Sequence, residues 1–324
     1  MFTFGKKSRQ LIANIRRQRA YDPPVLTQGS GMSSLAIEAP VSIGWIGAGR
    51  LARALATRAY RAGVHSAAVA SRTHANAAWL AQATGARALD TQGVADAADW
   101  VFITVPDDAI ARITAGVRWR PGQLVVHCSG AGERDLLDAA RQAGADTASF
   151  HPLFLFAGLP DDAERLGGAS IAIEADAPHD AALANLAQRL GCTPLKVRPG
   201  QRALYHAGAN YAASFLLCAL HEAATLWQAA GIDRDAAVDA MWPLVDGTLA
   251  AARARGLAGA LAGPVSRGDG GVIDKHLRAL DALGADHATL YTALTRRALA
   301  LAAERGAPSA DVLADLAKRI DRAQ

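Results

Sequence analysis

The chain has 324 residues, 51% of them hydrophobic and 20% charged, which suits two ordinary domains with ample core and excludes general disorder. Its formal net charge of +4 lies almost wholly in residues 1–31, where six bases meet one acid; the remainder holds 28 bases and 29 acids and has no overall bias toward nucleic acid. No run approaches the roughly 18 apolar residues of a bilayer-spanning helix, and the start lacks the apolar core of a secretory signal, so no membrane role and a cytoplasmic location are expected.

In chain order, the first segment is a basic arm, set apart as residues 1–40. A disordered tail or an added leader is the leading reading, since Gly29-Ser30-Gly31-Met32 resembles a linker followed by a start residue. Leu11, Ile12 and Ile15 could also form an apolar stripe among the arginines, which leaves a membrane-surface helix or an organellar presequence as alternatives.

From residue 41 short β-like runs alternate with Ala/Leu-rich helical stretches, the rhythm of βαβ units. Strands are expected at 41–46, 66–70, 100–105, 124–128, 148–150, 170–174 and 194–197. Helices are expected at 50–62, 75–83, 133–143 and about 179–190, several closed by a following glycine. Beyond Gly200 strand signals stop, and amphipathic helices are expected near 201–230, 234–255, 272–283, 287–305 and 309–322. The predicted fold is a doubly wound, mainly parallel Rossmann sheet over 41–199 followed by an all-helical domain over 200–324.

Gly47-Ala48-Gly49-Arg50-Leu51-Ala52 directly follows the first predicted strand and opens the first predicted helix. In that context Gly47 permits a tight turn, Gly49 lets a pyrophosphate approach the backbone, and Ala52 keeps helix and sheet close. Free amides at the helix start can then bind phosphate. Cofactor choice depends on the end of the second strand, where an acid would bind the ribose 2′-hydroxyl of NAD. Between Gly44 and Leu89 there is no Asp or Glu, and Ser71-Arg72-Thr73 falls where the adenosine ribose belongs. A guanidinium there can fork onto a 2′-phosphate, so NADP(H) is the expected cofactor. Val105-Pro106 and Ser129 end later strands, and ligands of open α/β sheets sit beyond such carboxyl ends. Ser129 is not in a G-x-S-x-G elbow, which argues against a hydrolase.

The order GAGRLA, SRT, VPD, HCSGA, Ser149-Phe150-His151-Pro152-Leu153 and the Gly263–Asp269 loop resembles bacterial oxidoreductases that pair a Rossmann-like domain with a C-terminal domain of unknown function. These are relatives of pyrroline-5-carboxylate reductase and of the 6-phosphogluconate dehydrogenase superfamily, and the resemblance covers residues 41–305. It implies a homodimer formed through the helical domain, and active-site positions at 149–153, at Tyr205-His206 and at 263–269. Where relatives often carry Lys ahead of the Tyr-His pair this chain has Arg202, and their Ser-Asn pair falls around Ala213-Ser214. Asn210, one turn past His206, is the available substitute.

Reduction of C=O or C=N by hydride needs a proton donor and groups that hold the substrate. His151 and His206 are the candidate acids, with Asn210 on the same helical face as His206. Ser129, Arg267 and Asp269 are the candidate substrate contacts, the arginine suiting a carboxylate. The spacing of His221-Glu222 is not that of a zinc motif, so no metal is expected. Cys128, Cys192 and Cys218 lack metal spacing and read as free, packing thiols. The expected activity is NADP(H)-dependent oxidoreduction of a small, carboxylated carbonyl or imine compound. The alternative is an inactive dinucleotide-binding redox sensor or binding module.

Overall fold

A computed structural model describes residues 41–322; the basic arm lies outside them. The first compact unit runs through Ala219 and the second begins at Leu220. Sequence composition changes at Gly200, but the next helix begins with Arg202, whose side chain is fully buried against strand ends. Packing therefore carries the first unit past the compositional boundary.

The sheet unit comprises β1 (Ile43–Ile46), α1 (Arg50–Arg61), β2 (Ser66–Ala70), α2 (His74–Thr84), β3 (Arg87–Ala88), α3 (Thr91–Ala97), β4 (Trp100–Ile103), α4 (Asp107–Ala115) and β5 (Leu124–His127). A 3-10 turn (Arg134–Leu137), α5 (Asp138–Gln142), β6 (Asp146–Leu153), α6 (Asp162–Arg165), β7 (Ser170–Glu174), α7 (His179–Arg189), β8 (Thr193–Lys196) and α8 (Arg202–Ala212) complete it. The strands form one sheet in the order β3-β2-β1-β4-β5-β6-β7-β8, parallel except for β6 against β7. This is the doubly wound, mainly parallel architecture expected from the sequence. After β6 the chain turns back through α6 without crossing the sheet, which is why β7 reverses.

Each central strand is a short apolar run with helices packed on both faces. Side chains alternate: Trp45, Val69, Phe102, Val126 and Phe150 enter one core with α1, α2 and α7, while Ile46, Ala68, Val101, Ile103 and Val125 enter another with α3 to α5. The short strand β3 and the four-residue helix α6 escaped the sequence reading, as did two longer helices of this unit that lack a long apolar period. One is α3, started by Asp90, whose carboxylate accepts from the Gly93 amide at 2.7 Å; the other is α4.

The helical unit contains the end of α9 (Ser214–Ala229), α10 (Arg234–Ala260), α11 (Pro264–Arg267), α12 (Gly270–Asp281), α13 (Ala285–Arg305) and α14 (Ala310–Arg322). The helix expected over 201–230 is broken at Ala213, where φ −120° and ψ −83° interrupt the spiral. Val265, Ile273, Leu277, Ala302, Leu316 and Ile320 form this unit's enclosed core. Cys128 and Cys192 are buried as expected, but Cys218 is exposed on α9. The expectation that it packs is corrected, because α9 leaves most of its surface uncovered in the single chain.

Candidate active site

The glycine turn is built as its residue types demand. Gly47 has φ +117°, and a Cβ there would lie 2.5 Å from the Thr104 carbonyl oxygen. Only glycine fits both the angle and the space. The Thr104 hydroxyl donates to the carbonyls of Ile46 and Gly47, each at 3.1 Å, tying the turn to the end of β4. Gly49 begins α1 without a side-chain cap, and a Cβ on it would meet nothing within 4 Å. Ala48 and Ala52 are buried, Leu51 is half-buried and Arg50 is exposed. A cavity of about 740 Å³ opens from this turn along α1, past Arg53, Trp79 and Asp162.

Ser71 is half-buried at the end of β2, and Arg72 and Thr73 are exposed beside it. Arg72 has no hydrogen-bond or ion-pair partner among the described residues, so its guanidinium is available to a ligand. Val105 is half-buried and Pro106 exposed immediately before α4. An uncapped helix start, a close-approach glycine and an unengaged arginine are the features that a 2′-phosphorylated dinucleotide requires.

A second cluster forms at the carboxyl ends of β5 and β6. His151 Nδ1 and the Tyr205 hydroxyl are 2.9 Å apart, and the His151 and His206 rings stand edge to face with centroids 6.0 Å apart. Both imidazoles crowd Gly130: a Cβ there would lie 2.9 Å from each Nε2 and 2.4 Å from His206 Cδ2. Glycine is thus required by close approach rather than by a special φ. The Ser129 hydroxyl donates to Asp107 at 2.6 Å and accepts from the Gly132 amide at 2.8 Å. Beneath the cluster, Arg202 donates to Ser149 Oγ and to the Ser129 carbonyl, both at 2.6 Å. Glu133 accepts the backbone amides of Gly200 and Arg202.

Burial and the Arg202 charge keep the His151 and His127 imidazoles neutral. Burial, then the Arg202 charge, then His206 lower the His151 pKa to about 4. Burial, Arg202 and His151 lower His127 to about 3; its Nδ1 accepts from the Ser129 amide at 3.2 Å. Burial raises the Tyr205 phenol, partly offset by Arg202. Burial pushes the Cys128 thiol up to about 12, which removes it as a nucleophile near neutrality.

Of the sequence candidates, the structure brings together Ser129, His151 and His206. Asn210 is exposed one turn beyond His206 and has no side-chain hydrogen bond among the described residues. Arg267 and Asp269 belong to the helical unit. Asp269 caps α12, accepting from the Val272 amide at 3.1 Å, while Arg267 is exposed at the end of α11. Sequence reasoning missed Tyr205 as a proton-bearing group, although it adjoins His206. The loops holding Asp107, His127 and Gly130 were expected beyond the strand ends, as found, but those three residues carried no assigned role. No group of three or more His, Cys, Asp or Glu suited to a metal occurs among the described residues, and none of their helices is long and apolar enough to cross a membrane.

Residues 42–130 match the family model described as NADP oxidoreductase, coenzyme F420-dependent, and residues 169–298 match a domain of unknown function, DUF2520. This is the pairing implied by the motifs. Among solved structures, a Bacteroides fragilis protein named as an NADP oxidoreductase is 29% identical, with TM-score 0.63 over 80% of this chain and 97% of that one. A reductive aminase from Aspergillus terreus, in complex with NADPH and ethyl-5-oxohexanoate, is 17% identical, with TM-score 0.56 over 88% and 94%. A pyrroline-5-carboxylate reductase from Coxiella burnetii is 13% identical, with TM-score 0.54 over 88% and 99%. The last two are likenesses of fold. The family description and the name of the Bacteroides fragilis protein agree with NADP(H) as the cofactor class. No curated protein matches the sequence.

Proposed function

We propose that this chain is an NADPH-dependent reductase of a small carbonyl or imine compound, with the reaction at the carboxyl ends of β1, β4, β5 and β6. The observation that carries this reading is the convergence of His151 and His206 on Gly130, with the Tyr205 hydroxyl hydrogen-bonded to His151, at the carboxyl edge of the sheet where the glycine turn also lies. The amides at the start of α1 and the open face of Gly49 would hold the pyrophosphate, and Ser71, Arg72 and Thr73 the 2′-phosphate. The cofactor, when bound, supplies hydride. The chain's own groups supply the proton and orientation: the Tyr205 hydroxyl carries the proton, His151 orients it, and Ser129, held by Asp107, presents a hydrogen-bonding oxygen to the substrate.

We further propose that the protein works as a homodimer joined through its long helices. Leu204 and Tyr211 on α8, Leu217 on α9 and Leu244 on α10 are each about 60–70% exposed in the single chain, more apolar surface than isolated helices leave to water without a partner. The three unpaired thiols suit the reducing cytoplasm.

The test is NADPH oxidation against a panel of oxo acids, ketones and amine-ketone mixtures. Turnover should appear with NADPH and fall at least a hundredfold in Tyr205→Phe with NADPH affinity nearly unchanged, since a lost acid-base group is worth about 10²–10⁴. Arg72→Ala should weaken NADPH about tenfold and leave NADH unaffected, as one charge-assisted contact is worth about 1.5 kcal/mol. NADPH binding without turnover of any compound would favour the inactive sensor, and equal binding of NADH and NADPH would sink the cofactor assignment.

A further inference from the structure

We propose that Arg202 is the positioning residue of this site: it holds the ends of β5 and β6 against the turn of α8 that carries Tyr205 and His206, and its charge keeps a proton off His151, so that Tyr205 rather than His151 is the group that gives one up. The geometry is unusual for an arginine. Its side chain is fully buried, forms no ion pair among the described residues, and leaves Nε without a partner. It also occupies the first residue of α8, where the helix dipole already places positive charge. Removing a cation from water without a contacting anion costs several kcal/mol. A neutral amide could bridge the Ser149 hydroxyl and the Ser129 carbonyl at lower cost. The bridge explains the hydrogen bonds; it does not explain the charge.

The charge has a consequence for the pair beside it. A fixed cation penalises a neighbour that gains positive charge and favours one that becomes negative. The two candidate proton donors differ in this respect. His151 would have to begin as an imidazolium, whereas Tyr205 begins neutral and ends as a phenolate. Arg202 therefore opposes the first and supports the second, consistent with its place among the causes that lower His151 and hold down Tyr205. The other titratable groups around this pair are His127 and Cys128 at the end of β5, Asp107 at the start of α4, Glu133 before the 3-10 turn, Glu174 on β7, and His206 on α8. Three carboxylates oppose the arginine's charge, and each is engaged elsewhere. Asp107 accepts the Ser129 hydroxyl. Glu174 is paired with Arg134, and Glu133 accepts backbone amides at the start of α8.

For turnover this inference rests on the reductase reading. As the substrate carbon takes hydride from NADPH, its nitrogen or oxygen takes the proton from the Tyr205 hydroxyl. The phenol O–H bond breaks, the new N–H or O–H bond forms, and NADPH leaves as NADP⁺. The phenolate beside Arg202, still in contact with His151, regains its proton from water.

Histidine side-chain NMR of the full chain without cofactor tests the electrostatic part directly. The His151 resonance is identified by its loss in His151→Gln. It should titrate near 4 in the parent protein, move up by about one unit or more toward 6.5 in Arg202→Met, and stay within about half a unit of the parent in Arg202→Lys, which keeps the charge. A His151 that titrates near 6.5 in the parent overturns the proposal, as does an unchanged value in folded Arg202→Met. Should the methionine variant not fold, the parent and the lysine variant decide: a return to the ordinary range in Arg202→Lys also overturns it. None of these readings needs cofactor or turnover, so failure of the reductase assay and failure of this inference are separable.

Discussion

The two compact units bury their apolar residues by different rules. In the sheet unit every central strand sends alternate side chains into two separate cores, and Val101, Phe102, Leu124 and Val125 are wholly enclosed. In the helical unit α10, which breaks at Gly256 (φ +73°), buries only Ala237 and Met241 over its whole span, while Trp242, Leu244, Leu249 and Leu257 remain 40–72% exposed. A sheet with helices on both faces fixes the destination of each strand residue through the pleat. A long helix has no such internal rule, and its buried face is defined by what packs against it.

The largest expected effect tests the closed side of that contrast. Phe102 stacks between Trp45 and Phe150, with centroid distances of 5.0 and 5.5 Å. Truncation in Phe102→Ala should cost about 3–5 kcal/mol in urea unfolding, the range for a large aromatic removed from a core that cannot collapse. A loss below about 1 kcal/mol would mean that the strand layers are not tightly packed.

A smaller, pH-dependent effect comes from the same unit. His127 and His151 have folded-state pKa values lowered to about 3 and about 4, below the ordinary 6.5 of the unfolded chain. The unfolded state therefore binds more protons in acid. The stability these neutral imidazoles contribute is fully present above pH 6.5 and is lost as pH falls toward 4 for His151 and 3 for His127. Each should add a slope of about 1.4 kcal/mol per pH unit within its window. Thermal melts between pH 7 and 4.5 should show the fall, and His151→Gln should reduce its slope. Melting temperatures that stay flat across this range would contradict the buried, neutral assignment.

Legibility in the sequence follows the same division. The strands at 66–70 and 170–174 and the glycine turn could be placed from residues alone, because period, turn glycine and position in a βα unit are local properties. The residues alone nominate His151 and His206, and only the resemblance implies that they converge. Their meeting at Gly130 depends on β5 and β6 being neighbours and on α8 packing over their ends, which is a property of strand order. The resemblance implied an active-site position for Tyr205 but no role; its role as a proton-bearing group rests on the hydroxyl lying 2.9 Å from His151. Asp269 shows the converse. Its position in a Gly-rich loop suggests chemistry, yet its carboxylate satisfies a helix amide. The break at Ala213 carries no glycine or proline signal, and nothing local announces it.

The smallest effect on the stability of one chain is expected on the open side of the comparison, and it separates the helical unit from the sheet unit most sharply. Leu244 is 63% exposed, so Leu244→Gln removes little apolar area from the folded single chain, and dilute monomer stability should change by no more than about 0.5 kcal/mol. In a two-fold dimer the same residue enters the interface twice. At about 1.5–3 kcal/mol for each buried leucine, the substitution should weaken self-association by more than a hundredfold while leaving the monomer intact. Sedimentation over a range of concentrations, paired with unfolding at the lowest, reads both quantities. A parent protein that stays monomeric at all concentrations would remove the dimer from the proposed function. A Leu244→Gln variant that unfolds readily yet associates normally would show that α10 is packed within its own chain, and that the contrast between the two units is weaker than their burial implies.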